Sequence, residues 1–123
     1  MSKKVKWLKR PEAKNWLAAN DYLGLLGYGH LPPTDLSRLK VQTFKAKDIL
    51  RASGLQLLPE SNKKVESKEE KINDGKPLSP IILVLTEPGN HLVIADGYHR
   101  VCAVYYVNQD AEIPCVIRNL KAP

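Results

Sequence analysis

The stretch Ile94-Ala95-Asp96-Gly97-Tyr98-His99-Arg100 does more than any other to fix what this chain can fold into. The run that leads to it, His91-Leu92-Val93-Ile94-Ala95, reads as a strand. Asp96-Gly97 then supplies a sharp turn. From Tyr98 to Gln109 there is no Gly or Pro, and the composition is helical. The order is therefore strand, glycine turn, helix start. A helix start carries unpaired backbone N–H groups and the positive end of the macrodipole, where anions and phosphates settle. Gly97 lacks a Cβ, so a ligand could approach the backbone there. His99 and Arg100 fall in the first helical turn, and Arg offers a planar fork that suits phosphate oxygens. The local chemistry is that of a phosphate cradle. The same turn is also a common connector in which His99 and Arg100 simply face water, and the heptapeptide alone leaves both readings open.

The segment upstream fits a small sheet. Leu78-Ser79-Pro80 leads into Ile81-Ile82-Leu83-Val84-Leu85, whose continuous apolar character predicts a buried strand. Glu87-Pro88-Gly89-Asn90 has the chemistry of a hairpin loop joining it to the strand before Gly97. After the helix, Asp110-Ala111-Glu112 turns the chain into a last strand, Ile113 to Arg118, with Pro114 near its start or on an edge. Val41-Gln42-Thr43-Phe44 predicts a short strand. Lys45 to Ser53 has helical propensity and Gly54 is a natural stop. Asn62 to Asp74 reads as a polar helix with Ser61 as its cap and Val65 and Ile72 as its apolar positions. The fold class expected is α+β, with one small, largely mixed sheet.

The first forty residues have a different character. Lys3, Lys4, Lys6, Lys9 and Arg10 supply five of the six net positive charges of the 123-residue chain. Such an arm can hold nucleic acid non-specifically, but it reads more simply as a solubilising, disordered end. A helix is expected over Glu12 to Leu26, with Pro11 at its first turn. Trp16, Ala19, Leu23 and Leu26 form its apolar stripe. Gly27-Tyr28-Gly29-His30 stops it, and Thr34 or Asp35 could cap the short turn after the following loop. The stripe packs on the domain, or Trp7 and Trp16 recruit a partner, a homodimer included. The expected organisation is a basic N-terminal arm and helix over residues 1–40 and a sheet domain over 41–123, within one compact unit. Cys102 and Cys115 have no metal-ligand spacing, and no secretory signal or membrane-length apolar run is visible, so a cytoplasmic location without a membrane partner is expected.

Taken in order, these pieces resemble the ParB/sulfiredoxin superfamily over residues 41–118. The likeness rests on Lys64-Val65-Glu66-Ser67 with Ile72, Leu78-Ser79-Pro80-Ile81, Asp96-Gly97-Tyr98-His99-Arg100, a helix containing Ala103, and Ile113-Pro114-Cys115. ParB-type domains carry a Gly-x-x-Arg phosphate box at the corresponding turn. Sulfiredoxins carry Gly-Cys-His-Arg, and related free serine kinases carry Asp-Gly-His-His-Arg. The chain most resembles the small standalone ParB-like bacterial proteins. The resemblance implies a ParB/sulfiredoxin-like fold with an N-terminal helical extension. It also implies a nucleotide site, for ATP, ADP or CTP with Mg²⁺, built from Gly97, Tyr98, His99 and Arg100. A sulfiredoxin helix of pattern Lys-Val-x-Ser-x-x-x-Thr-Ile adds phosphate contacts, which maps onto Lys64 and Ser67, with Lys71 where the Thr would stand. Lys64, Ser67 and Lys71 share one helix face. Asp96 is the candidate metal-binding acid, and Asp96 and His99 are the candidate catalytic groups.

The departures narrow the expectation. Tyr98 stands where sulfiredoxins need a thiolate, and Cys102 and Cys115 read as buried, unreactive core residues. No helix-turn-helix accompanies the domain, which argues against site-specific DNA partition. The expected function is nucleotide or phosphate binding, with phosphotransfer or nucleotide hydrolysis as its open extension. The alternatives are a non-catalytic protein-interaction module of the same fold, and a ParB-like nucleic-acid-binding protein or nuclease.

Overall fold

A computed structural model describes residues 4–28, 38–87 and 89–121. The expected stop at Gly29-His30, the loop with its Thr34 or Asp35 cap, Lys3 of the arm and Pro88 of the hairpin lie outside the described residues. Among the described residues the order is α1 (Ala13–Leu25), β1 (Gln42–Lys45), α2 (Ala46–Ser53), α3 (Lys63–Asn73), β2 (Ile81–Glu87), β3 (His91–Asp96), α4 (Tyr98–Val107) and β4 (Glu112–Lys121). The strands form one mixed sheet in the order β1-β4-β2-β3. β2 and β3 are the antiparallel hairpin, with Val84 opposite Val93. β4 runs parallel to β2, with Ile82 opposite Val116, and β1 closes the other side antiparallel to β4. The fold class is α+β, as expected.

The uninterrupted apolar character of β2 has a direct cause, because helices cover both faces of the sheet. Ile81 and Leu83 point to the face where α2, α3 and α4 pack, in a core with Ile49, Val65, Ile72, Val101, Val104 and Ile113. Ile82 and Val84 point to the opposite face, where Trp16, Ala19 and Leu23 of α1 meet Val93, Ala95 and Val116. Burying each of these large side chains is worth about 1.5–3 kcal/mol. The α1 stripe therefore ends at Leu23. Leu26, expected to extend it, is the C-cap and is 45 % exposed, because the chain turns off the helix at Gly27 with φ 85°. Trp16 is buried, and the half-buried Trp7 packs against the three-helix core.

The basic arm also differs from the disordered end expected. Leu8 N donates to Leu78 O at 2.8 Å, and Leu78 N donates to Lys6 O at 2.9 Å. Val5 and Trp7 pack inward, and Arg10 reaches the carbonyl of Leu39. Alternating apolar side chains and two satisfied backbone groups hold residues 5–8 down; the lysines between them face water. At the start of α1, Ser79 donates to Glu12 Oε1 at 3.1 Å, tying the helix to the entrance of β2.

Two helix ends also depart from expectation. Asn62, not Ser61, caps α3, its Oδ1 accepting from Lys64 N and Val65 N. α4 ends at Val107 rather than Gln109, where Asn108 becomes extended. No described helix is long and apolar enough to cross a membrane.

Candidate functional site

β3 delivers Asp96 to the rim of the sheet, and Gly97 begins α4 in the left-handed region at φ 115°. That angle favours glycine, and so does the space around it. A Cβ at position 97 would stand 2.4 Å from Ile81 Cδ1 and 2.6 Å from Arg100 Nη2. The missing side chain therefore makes room for Arg100 and Ile81, while Gly97 itself stays in the lining of the site. Arg100 folds back beneath the turn, 6 % exposed, and Nη2 meets Asp96 Oδ2 at 2.6 Å. Its Nε is buried without a hydrogen-bond partner. Arg100 is thus an inward-facing guanidinium with donor capacity left over, not a solvated first-turn side chain.

α3 lies across from this turn. Asn62 fixes its N-terminus, and Val65 and Ile72 anchor it in the core against α4. With that face anchored, Lys64, Ser67 and the half-buried Lys68 share the lining of one hollow with Asp96, Gly97 and His99. Between them lies a basin of about 470 Å³. Lys63 and Asn15 complete its lining with Arg100. Asn15 comes from α1, where its Oδ1 also accepts from the Glu12 N–H.

Six residues named from the sequence meet here: Lys64, Ser67, Asp96, Gly97, His99 and Arg100. Two others do not. Lys71 lies a turn further along α3, exposed and off the lining. Tyr98 turns to the other side of Gly97, and its hydroxyl donates to the carbonyl of Gln56. Lys63, Lys68 and Asn15 were missed. Lys68 could have been found, because it stands four residues from Lys64 and shares that face as fully as Lys71. Asn15 could not, because the sequence does not say which sheet face α1 covers.

The basin is electropositive. Lys63, Lys64, Lys68 and Arg100 line it against the carboxylate of Asp96. His99 is held below its ordinary pKa by burial, with Lys64 and Lys68 adding to the effect, so its imidazole is neutral at pH 7. Lys68 is likewise lowered, first by burial and then by Lys71 and Arg100, with Asp96 opposing. An anion in the basin would relieve the part of each shift that the neighbouring cations add to burial. Ser67, Lys64 and Lys68 supply side-chain donors, and the start of α4 supplies oriented N–H groups. Together they suit the oxygens of a phosphate.

Thiol chemistry has no place in this arrangement. Cys102 and Cys115 are both fully buried; burial raises both thiols, Cys115 to about 12. Among the described residues, no three His, Cys, Asp or Glu side chains gather in a way that could hold a metal ion. Compared with protein-family models, curated proteins and solved structures, the chain matches none of them.

Proposed function

We propose that this chain binds a phosphate-bearing small molecule, in the first instance a nucleotide, between α3 and the N-terminus of α4. One observation carries the reading. Two helices from opposite sides of the site bring Lys64, Ser67, Lys68 and the start of α4 to a single basin, above a buried Arg100 whose Nε has no partner. The resemblance to the ParB/sulfiredoxin superfamily, and to its small standalone ParB-like members, supports the same reading, since it points to this turn and this helix. Lys64, Lys68 and Ser67 hold the outer phosphate oxygens. The N–H groups at Gly97, Tyr98 and His99 take the inner ones. Arg100 sets the field from below. Mg²⁺ would arrive on the phosphates, with Asp96 as the carboxylate at hand, and its chemistry would be charge neutralisation between phosphate oxygens. Where phosphoryl transfer or hydrolysis follows, neutral His99 can take a proton from the attacking hydroxyl or water, and the cations stabilise the charge.

A thermal-shift series against ATP, ADP, CTP, GTP and inorganic phosphate, with and without Mg²⁺, tests this. Ligand at a hundred times its Kd stabilises by about 2.7 kcal/mol, a Tm rise on the order of 10 °C for a chain this size. The rise should vanish in a Lys64→Gln, Lys68→Gln double variant, whose changes lie at the rim and leave the core intact. No rise with any of these ligands would overturn the proposal.

A second reading, a non-catalytic interaction module, has its own observation. Leu17 and Leu25 on the outer face of α1 are 65 % and 85 % exposed. Leu25→Asp would abolish association with a partner or second copy and leave phosphate binding unchanged.

A further inference from the structure

The basin does not end at the glycine turn. Asp96, Gly97 and His99 also line a second cleft, of about 230 Å³, on the turn's other side. The chemistry changes there. The remaining wall is Ala18 and Tyr22 from α1, with Leu55, Ile94, Ala95 and Tyr98. The Tyr98 ring is pinned by its hydroxyl on Gln56 and stands 5.7 Å from the His99 ring at an angle of 42°. Tyr22 and Leu55 are 37 % and 36 % exposed, so both leave apolar surface facing water across the cleft. Past them the groove continues into a further hollow of about 280 Å³ beside Tyr28 and His91.

We propose that this cleft receives a flat apolar ring borne by the same molecule whose anionic group enters the basin. The proposal rests on the anion reading of that basin and adds the class of the group attached to it. Size permits it, since a cavity of about 150 Å³ can hold benzene. Chemistry favours it. Two tyrosine rings and a neutral imidazole offer the offset and edge contacts that aromatic rings prefer. Continuity fixes the occupant, because the two hollows share Asp96, Gly97 and His99, so that one molecule with its phosphate in the basin can place an attached ring across the turn. An anion alone leaves the apolar wall wet; a ring alone leaves the cations unpaired. The ring is a simple aryl group or a nucleobase, and these are separated by the ligands used.

Isothermal titration of the full chain with methyl phosphate, phenyl phosphate, AMP and CMP tests the proposal. Phenyl phosphate should bind about tenfold tighter than methyl phosphate, as burial of one ring face allows. Tyr22→Ala and Leu55→Ser should each remove most of that gain and leave methyl phosphate binding unchanged; both positions are exposed enough for the fold to tolerate them. AMP or CMP binding tighter than phenyl phosphate, with the same dependence on Tyr22, would support the proposal with a nucleobase as the ring. Equal affinities for methyl and phenyl phosphate, or a gain that survives both substitutions, would overturn it while leaving the anion site standing. Absence of binding by every phosphate would remove the anion site itself and this proposal with it.

Discussion

Arg100 and Gly97 depend on each other. The guanidinium lies too close to the Cβ position of residue 97 for a side chain there, and Asp96 holds it at 2.6 Å. Gly97→Ala must therefore strain φ at 115° and displace Arg100 or Ile81. The expected loss is about 2–4 kcal/mol, read from urea unfolding midpoints. His99 makes stability depend on pH. Its pKa in the folded chain lies below the unfolded value of about 6.5. As pH falls through that value, the unfolded chain takes up the proton first. The contribution of His99 is thus complete above about pH 6.5 and is lost as pH drops towards the folded pKa. His99→Gln should flatten that part of the stability profile. A phosphate in the basin offsets Lys64 and Lys68, so the His99 pKa measured by NMR should rise when phosphate is added.

Among the elements, α3 is the one whose placement matters most to the site. Its cap joins fold and function, because Asn62 accepts from the N–H of Lys64, itself a basin residue. Asn62→Ala should cost about 1 kcal/mol in unfolding and weaken phosphate binding by fraying that end. Most elements were legible because their ends are punctuated. Gly54 and Gly75 mark helix ends, Gly97 marks a helix start, and the run from Ile81 to Leu85 has no interruption to misread. What could not be read was orientation. The spacing of Trp16, Ala19 and Leu23 predicts a buried stripe but not which sheet face receives it, so Asn15 went unseen. Lys68 and Lys71 satisfy the same helical periodicity relative to Lys64, and only the packing of Val65 and Ile72 decides between them. Gly97 was legible as necessary, but the reason lies in Arg100 and Ile81, contacts made through tertiary folding.

For the molecule as a whole, the arrangement is a four-stranded sheet with α1 on one face and α2, α3 and α4 on the other, the site lying at the rim where α1, α3 and α4 come near the end of β3. The basic arm belongs to that body. Removal of residues 1–10 should lower stability by about 2–3 kcal/mol through loss of the Lys6–Leu8 bonds to Leu78 and the packing of Trp7. A free tail would leave Tm unchanged under the same deletion. On the proposed function, anions bind in the basin between α3 and α4, where Lys63, Lys64, Lys68 and Arg100 converge on one acid, Asp96, and not along the arm, although residues 1–10 carry five of the six net positive charges. The most direct test is an amide ¹H–¹⁵N titration with inorganic phosphate at constant ionic strength. Saturable shifts confined to residues 63–68 and 96–100 are the predicted result. Shifts confined to residues 4–10, or none that saturate, would rule out an anion site in the basin.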